Sequence, residues 1–513
     1  MTDLRRWRFG ALAFAGGALF AMDTPPANWI PALWIGMALL AVAMAMPVEK
    51  RPLLTIALRG ELFGLAANLV FFRFMPTVIT RFTPLPFVVA ALALLVLAAA
   101  QGLRWLATGA LTKLLVDRGA PRWAAFPIGV YAGTFVPMVF PWNPADGATP
   151  WPIMVQLADI IGGRGVSALM ALTAALAAEA FLLRSDRKRA LKHGAFAIAI
   201  PILSALAGFV RIHEIDAIRE ASPTATIALI QPSIGATMRW DPRVASSILD
   251  ELESLTRSAE KKGAELTVWH EGAYPYVIAH ATRHSPYGRG SILGTGVHGP
   301  ILTGIILSKT PQESTNSAIL VQRDGTYGEP YDKMHLLWFG ETVPLSDIFP
   351  VLRRVFIRGT GLVPGDHQVV LSTGKIRAAV LNCFEDILPS AGREAIATRP
   401  NVLIDVTNDA WFSGSVESEL HMRMAAMRSI ELRRDMVRAV NFGSTSWVDA
   451  VGRIRGRYAE AIPGTLITTP ALIEGPPTFF ARFGEWPTLA LAAIFAAFAC
   501  KRRPRRDEQP AAL

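Results

Sequence analysis

The chain has 513 residues, of which 51% are hydrophobic and only 18% are charged, and its formal net charge is +10. Soluble domains usually carry about 25% charged residues, so this composition argues against an ordinary soluble protein and indicates an integral membrane protein. The positive charge does not indicate nucleic-acid binding, because no basic patch with interleaved aromatic residues is present. Two cysteines cannot build a disulfide framework.

Eight apolar segments predict membrane spans, because each is long enough, or nearly so, to cross about 30 Å of hydrocarbon. The N-terminus is basic and then apolar, like a signal peptide, but more apolar segments follow at once and we interpret it as the first span. Arg73 falls inside the third segment, which favours a position facing the helix bundle. The segments are 8–22, 29–46, 60–79, 85–103, 123–140, 153–183, 193–210 and 486–500.

Basic residues are distributed unevenly between the alternate ends of these segments. If the N-terminus is cytoplasmic, the inner side receives Arg5, Arg6 and Arg8 and several later basic clusters, whereas the short outer loops receive only Arg73 and Arg81. Positive residues next to membrane spans stay in the cytoplasm. The stretch between the seventh and eighth spans is therefore predicted to lie outside, in the periplasm of a bacterium whose inner membrane holds the spans.

The predicted organisation has four parts: a seven-helix transmembrane bundle (1–210), an outer domain (211–485), a C-terminal transmembrane helix (486–500) and a basic cytoplasmic tail (501–513). The outer domain alternates strand and helix signals, which predicts an α/β domain. Several strands are continuous apolar runs, typical of a sheet that is buried on both faces. The predicted strands are 225–231, 264–270, 300–307, 317–325, 376–383 and 401–409, and the predicted helices are 241–263 and 417–435.

Three polar residues stand where predicted strands end, namely Glu271, Lys333 and Cys383. A thiolate that attacks a carbonyl, a carboxylate that takes the thiol proton and an ammonium that stabilises the oxyanion suffice for acyl transfer. Each residue also has an ordinary interpretation, since a cysteine at a strand end is more often part of the core and a lone Glu or Lys is usually solvated. Their spacing alone does not decide between these interpretations.

The sequence around Cys383 raises a question about its reactivity. Glu385 and Asp386 follow it closely, and carboxylates beside a thiol raise its pKa. We therefore expect Cys383 to rest as a neutral thiol that loses its proton as attack begins. No metal or cofactor site is predicted, because His270 and the other nearby histidines are scattered among loops without the spacing of metal ligands.

Four segments decide the matter by resemblance: VWHEGAYP (268–275), YDKMHLLWFGETVP (331–344), LNCFED (381–386) and TNDAWF (407–412). In order and spacing they resemble the signature segments of the nitrilase superfamily. With seven predicted spans before the outer domain and one after it, nearly the whole chain resembles the bacterial apolipoprotein N-acyltransferases, a membrane-embedded branch of that superfamily. The resemblance implies a multi-span α-helical membrane bundle joined to a nitrilase-like α/β domain, an αββα sandwich, in the periplasm.

The resemblance also implies roles for the three strand-end residues. Glu271 is the expected general base, Lys333 the expected oxyanion stabiliser and Cys383 the expected nucleophile. Glu341 and Glu385 match supporting glutamates, of which Glu341 is expected to orient Lys333 and the thiol.

Three aromatic residues match positions expected to face the substrate: Trp240, Phe384 and Trp411. For the two tryptophans, packing in the core is an equally open interpretation. Phe384 is also a departure from the family, which usually has tyrosine there. The other departures are His270 and Trp338, where the family usually has proline, and Gly272, where it usually has serine or alanine. These departures leave open which acyl donor and which acceptor the protein prefers.

By resemblance, Cys383 takes an acyl chain from a membrane phospholipid and passes it to the N-terminal amine of a diacylglyceryl-cysteine on a lipoprotein. The expected partners are therefore a phospholipid donor, a lipoprotein acceptor and membrane lipids, without nucleic acid or cofactor. Two alternatives stay open. One is a membrane-tethered amidase or an acyltransferase with a different acceptor, and the other is a non-catalytic binding protein of the same fold.

Overall fold

The computed structural model describes residues 2–83, 85–236, 238, 241–338, 340–343, 346, 348, 350 and 361–501, without the side chains of 2–6 and 501. The predicted tail therefore lies outside the described residues except for the backbone of Lys501. The chain divides into two compact units. The first is Met1–Ile212 with Phe483–Leu513, and the second is His213–Arg482.

The described part of the first unit is built from helices, and all of them except α7 overlap a predicted apolar segment. Helix α9 begins in this unit and ends in the second. The helices are α1 (Thr2–Phe20), α2 (Ala32–Ala45), α3 (Pro52–Phe71), α4 (Met75–Phe82), α5 (Phe87–Asp117), α6 (Arg122–Gly133), α7 (Pro144–Gly147), α8 (Ala158–Leu182), α9 (Arg187–Ala221) and a final helix, Trp486–Lys501.

Four of these helices, α3, α5, α8 and α9, are long and apolar enough to cross a membrane, and α2 and the final helix are apolar but shorter. The assignment of all eight segments as spans stays a prediction. The third segment is divided between α3 and α4, and Arg73 lies in the connection, where its guanidinium donates to the Val70 carbonyl at 2.8 Å. The helix expected over the third segment is therefore interrupted at Arg73, and the place of Arg73 relative to the membrane stays a prediction.

Glycines allow the helices of the first unit to approach closely. A Cβ added to Gly17 of α1 would lie 2.0 Å from the carbonyl oxygen of Phe63 in α3. A Cβ added to Gly60 of α3 would lie 2.0 Å from the carbonyl oxygen of Trp105 in α5. Because lipid tails are as apolar as leucine, helices in a membrane associate through close packing rather than through the hydrophobic effect. These glycines permit that packing.

The second unit contains two sheets. In chain order the strands are β1 (Ile227–Gln231), β2 (Leu266–Trp269), β3 (Val277–Ala279), β4 (Ile301–Ser308), β5 (Ser314–Val321), β6 (Tyr331–Asp332), β7 (Val370–Thr373), β8 (Ile376–Asn382), β9 (Val402–Thr407), β10 (Met436–Val440), β11 (Ser446–Val448), β12 (Ile454–Arg457) and β13 (Gly464–Thr468). The first sheet has the order β13–β1–β2–β4–β5–β6, with β3 also paired to β4, and the second has the order β12–β11–β10–β9–β8–β7.

The sheets pack face to face and helices cover their outer faces. Apolar residues of β1, β2, β4 and β5 share one buried core with residues of β7, β8, β9 and β10. A second core lies between the first sheet and α10 (Ala245–Lys261). A third lies between the second sheet and two helices, α11 (Pro389–Ala397) and α12 (Glu417–Leu432). This is the predicted αββα sandwich.

The amphipathic pattern of α10 predicts its buried face but not its first residue. Ile248, Leu252 and Ala259 are buried as expected, and the chain leaves the helix through Gly263, whose φ of 83° suits a residue without a Cβ. The predicted start at Asp241 is wrong by one turn, because the helix begins at Ala245. Asp241 instead accepts hydrogen bonds from the backbone and guanidinium of Arg243.

The central strands of the second sheet supply a test of the core. Ile404 of β9 is fully buried and lies in register between Val380 of β8 and Val437 of β10. We expect Ile404→Ala to lower the free energy of unfolding by about 2–5 kcal/mol, because it removes buried methyl groups and leaves a cavity. Ile454→Ala, at a 47% exposed position on β12, is the matched control and should cost about 0.5 kcal/mol or less. Thermal melting of the detergent-solubilised chain measures both, and equal costs would contradict the proposed core.

Candidate active site

The structure brings together the three residues that follow strand ends. Glu271 comes after β2, Lys333 directly follows β6 and Cys383 directly follows β8. The Lys333 Nζ lies 3.3 Å from Glu271 Oε1 and 2.7 Å from Glu341 Oε2. Lys333 is 1% exposed, so its charge is compensated within the protein. The charges of Glu271 and Lys333 both act on the Cys383 thiol.

Lys333 is held as an ammonium. Burial alone would lower its pKa, but the carboxylates of Glu341 and Glu271 raise it well above the usual value. Burial likewise works against the Glu341 carboxylate, but Lys333 and the Leu337 amide lower the pKa of Glu341 below its usual value. Lys333 therefore supplies a fixed positive charge at neutral pH, which is suited to stabilising an oxyanion and unsuited to taking a proton.

Asn316 of β5 joins the two glutamates. Its Nδ2 donates to Glu271 Oε1 and to Glu341 Oε1, both at 2.7 Å, and its Oδ1 accepts from Asn382 Nδ2 at 3.2 Å. Both amide hydrogens are thereby used, and each carboxylate is fixed relative to the other. Asn316 was not predicted, because the predicted strand began at 317. The first half of β5 is polar throughout, so no pattern distinguished Asn316 from its neighbours.

Glu385 is fully buried and does not point at the thiol. Its Oε1 accepts from the backbone amides of Met334 (2.7 Å) and His335 (3.0 Å). Its Oε2 accepts from the Tyr331 hydroxyl (2.6 Å) and from the Asn382 amide (2.9 Å). This carboxylate therefore joins the turn that carries the thiol to the segment that carries the ammonium.

Cys383 has a left-handed backbone, with φ of 54°, at the junction of β8 and a short 3₁₀ turn, Cys383–Ile387. A left-handed conformation is unfavourable for a residue with a Cβ by about 1–3 kcal/mol, and the surrounding structure must stabilise it. The Glu385 carboxylate helps to do so by accepting from the backbone amide of Asn382, the residue before the turn, at 2.9 Å. The sharp change of direction leaves Cys383 partly exposed at the strand end.

The thiol is neutral at rest. Burial raises the pKa of Cys383 well above its usual value, Glu271 raises it further and Lys333 lowers it only in part. The predicted direction is confirmed, and Asp409 and Glu341 also raise the pKa of the thiol. A neutral thiol requires a base at the moment of attack, and Glu271 lies in the same charged group.

The departures at His270 and Gly272 are compatible with the local backbone. Gly272 has φ of 53°, where a side chain is strained, and a Cβ on the facing Gly304 of β4 would lie 2.3 Å from the Gly272 nitrogen. His270 is buried, and its Nδ1 lies 2.8 Å from the carbonyl oxygen of Glu271. Both residues shape the turn that presents Glu271.

The structure describes two of the three aromatic residues that are predicted to face the substrate. Phe384 and Trp411 are partly exposed and lie in the turns that follow β8 and β9. These strands are parallel neighbours, so both turns lie at the same edge of the second sheet. Trp240 lies outside the described residues. Trp338 is 46% exposed.

Comparison with known proteins gives the family. Residues 16–176 match the apolipoprotein N-acyltransferase N-terminal domain, and residues 226–472 match the carbon-nitrogen hydrolase family. An apolipoprotein N-acyltransferase from Geobacter metallireducens is 30% identical over 509 residues, which cover 96% of this chain and 95% of the relative. The chain belongs to the apolipoprotein N-acyltransferase family. The predicted family and the prediction of an acyltransferase are thereby confirmed.

Other relatives agree with this assignment. An apolipoprotein N-acyltransferase from Bradyrhizobium diazoefficiens is 29% identical, with 97% of this chain and 95% of the relative covered. Among solved structures, an amidase from Nesterenkonia sp. is 17% identical with a TM-score of 0.38, covering 53% of this chain and 97% of its own. The carbon-nitrogen hydrolase match covers nearly all of the αββα unit.

The raised pKa of Cys383 predicts a distinctive pH profile of alkylation. Iodoacetamide reacts with the thiolate, so the rate at Cys383 should rise with a midpoint well above that of the same cysteine in the urea-denatured chain. Peptide mapping by mass spectrometry measures the rate at each pH. If burial limits the access of iodoacetamide to Cys383, the alkylation rate falls by the same factor at every pH, so the midpoint does not move. A native midpoint at or below the denatured one would contradict the neutral resting thiol.

Asn316→Asp should impair the enzyme without changing the shape of the side chain. A third carboxylate would face Glu271 and Glu341, and neither would keep its amide donor. We expect acyl transfer to fall by about 10²-fold or more, the usual contribution of a positioned general base. Gln312→Glu, at an exposed position before the same strand, adds the same charge and should leave the rate unchanged. Equal rates for N316D and the unmodified enzyme would remove Asn316 from the site.

Proposed function

We propose that this enzyme transfers an acyl chain from a membrane phospholipid to the α-amino group of a diacylglyceryl-cysteine at the N-terminus of a lipoprotein. The observation that carries the proposal is the buried Lys333 ammonium between Glu271 and Glu341, next to a neutral Cys383 thiol, in a chain of this family. The relatives' name supplies the acceptor class. Cys383 is the proposed nucleophile, Glu271 the base and Lys333 the oxyanion stabiliser.

In the first half-reaction, Glu271 takes the proton of the Cys383 thiol as the sulfur attacks the ester carbonyl carbon of the phospholipid. Negative charge develops on the carbonyl oxygen, and the Lys333 ammonium stabilises it. The ester C–O bond then breaks, and the Glu271 carboxyl returns the proton to the departing alkoxide. The products are a lysophospholipid and an acyl thioester on Cys383.

In the second half-reaction, the neutral amine of the acceptor attacks the thioester carbonyl carbon. Glu271 takes a proton from the attacking nitrogen, and Lys333 again stabilises the oxyanion. The C–S bond breaks, the sulfur regains a proton from the Glu271 carboxyl, and an amide is released. The cycle returns Cys383 to its neutral thiol without any further reactant.

The remaining residues have supporting roles in this scheme. Glu341 and Asn316 hold Lys333 and Glu271 in place, and Glu385 holds the segments that carry Lys333 and Cys383 together. Phe384 and Trp411 are proposed to face the substrate at the edge of the second sheet. The helices long enough to cross a membrane and the uneven basic residues support a place in the bacterial inner membrane, with the catalytic unit in the periplasm.

Mass spectrometry of Cys383 tests the proposal. The purified chain, incubated in detergent with a phospholipid, should gain the mass of one acyl chain at Cys383, and a diacylglyceryl peptide should then discharge it as an amide. Cys383→Ser should abolish the adduct, and Glu271→Gln and Lys333→Met should each slow its formation by about 10²-fold or more. Cys500→Ala is the matched control and should leave it unchanged.

Each of the other possible results of this experiment would indicate a different function for the chain. An adduct discharged by water and not by the peptide would indicate an amidase or esterase rather than an N-acyltransferase. Discharge by a different amine alone would change the acceptor. The absence of any adduct, with normal folding, would favour a non-catalytic protein of the same fold. Normal turnover in Glu271→Gln would remove the base role while keeping the nucleophile.

A further inference from the structure

A cluster of buried charges that the scheme above does not use surrounds the side chain of His421. Its members come from the Cys383–Ile387 turn, from a second turn at Asp409–Phe412, from β9 and β10, and from α12. The charged residues that face one another here are Asp386, Asp405, Asp409, Glu417, His421 and Arg438.

Both ring nitrogens of His421 face carboxylate oxygens. The Nε2 lies 2.8 Å from Asp386 Oδ1 and the Nδ1 lies 3.0 Å from Asp409 Oδ1, and His421 is buried. An ionised carboxylate can only accept a hydrogen bond, so both contacts are satisfied only when both nitrogens carry a proton. The geometry is therefore that of an imidazolium. It leaves neither nitrogen with a lone pair for a metal ion.

The neighbouring charges favour the same protonation state. The Oδ2 of Asp386 accepts from Arg438 Nη2 at 3.0 Å and from Nε at 3.2 Å, so Asp386 lies between two cations. Arg438 also donates to Asp405 Oδ2 at 3.0 Å. Burial raises the pKa of Asp405 and of Glu417 well above their usual values.

Burial alone would lower the pKa of His421, but Asp386 and Asp409 raise it well above its usual value. The groups that face the ring are Asp386 and Asp409 from the two turns and Glu417 from its own helix, with Arg438 and Asp405 beyond Asp386. The raised pKa agrees with the imidazolium that the two carboxylate contacts require.

The cluster is connected to the reactive thiol through Asp386 and Asp409, the two residues whose carboxylates lie closest to the His421 ring. Asp386 lies three residues after Cys383 in the same turn. Asp409 opens the turn that carries Trp411, and its charge acts directly on the thiol. One imidazolium thus joins the turn of the nucleophile to the turn of an aromatic residue expected to face the substrate.

We propose that His421 is a positioning residue, a fixed positive charge that ties the Cys383 turn to the Asp409 turn and offsets the negative charge that Asp409 presents to the thiol. The proposal rests on Cys383 being the reactive thiol of the proposed function. It is independent of the identity of the acyl donor and acceptor.

The pH profile of iodoacetamide alkylation at Cys383, measured on the full chain in detergent, tests this charge. His421→Gln removes the positive charge and should move the midpoint upward by about one pH unit. Asp409→Asn removes the negative charge and should move the midpoint downward. The double variant should return the midpoint to near that of the unmodified chain, because the two effects on the thiol cancel. A residue that only fills space does not predict opposite shifts that cancel.

His298→Gln is the matched control. His298 is exposed and its Nδ1 lies 3.0 Å from Glu260 Oε2, so the substitution breaks a similar pair at the surface and should not move the midpoint. An unchanged or lowered midpoint in H421Q would overturn the proposal, as would shifts of the same sign in H421Q and D409N. Should H421Q fail to fold, the double variant is compared with D409N. The midpoint of the double variant should then lie above that of D409N, and equal midpoints would overturn the proposal.

A second measurement separates positioning from substrate binding. In H421Q the maximal rate of thioester formation should fall while the KM for the phospholipid stays within about twofold, because His421 does not touch the donor. A raised KM with an unchanged maximal rate would overturn the positioning role. The alkylation profile requires no turnover, so a failure of the proposed acyl donor would leave the test of His421 intact.

Discussion

The site depends on one buried ammonium held between two carboxylates. Lys333 is almost fully removed from water, and such a charge is tolerated only when opposite charges and hydrogen bonds replace its hydration. Glu271 and Glu341 supply the charge, and Asn316 fixes their separation. Removing any of these partners leaves a charge or a donor unsatisfied. The same arrangement keeps Lys333 an ammonium, which is the state that the proposed oxyanion stabilisation requires.

Much of the site follows from the sequence because its residues stand where strands end. Glu271, Lys333 and Cys383 each stand at or just after the end of a strand, the position where α/β sheets present side chains to a ligand. The αββα fold follows in the same way, since buried strands read as apolar runs and α10 shows a clear amphipathic face. The family resemblance then assigns roles that spacing alone leaves open.

The parts that could not be predicted are polar residues inside strands and helices. The contacts of Asn316 in β5, Arg438 in β10 and His421 in α12 are made with partners distant in sequence, which no local pattern reveals. Short strands such as β11 are likewise hidden, because three residues carry no periodicity. The break at Arg73 was missed for a related reason, since the apolar run is continuous although the helix is not.

The hydrogen bonds of Glu385 join the two sheets of the sandwich. It accepts from Tyr331 at the end of β6, in the first sheet, and from Asn382 at the end of β8, in the second. The ammonium and the thiol thus belong to different layers of the sandwich, and their alignment depends on the layers not sliding past each other. Interlocked side chains between the sheets resist such shear. Substitutions that loosen the packing between the layers would therefore move the ammonium away from the thiol even though they touch neither group.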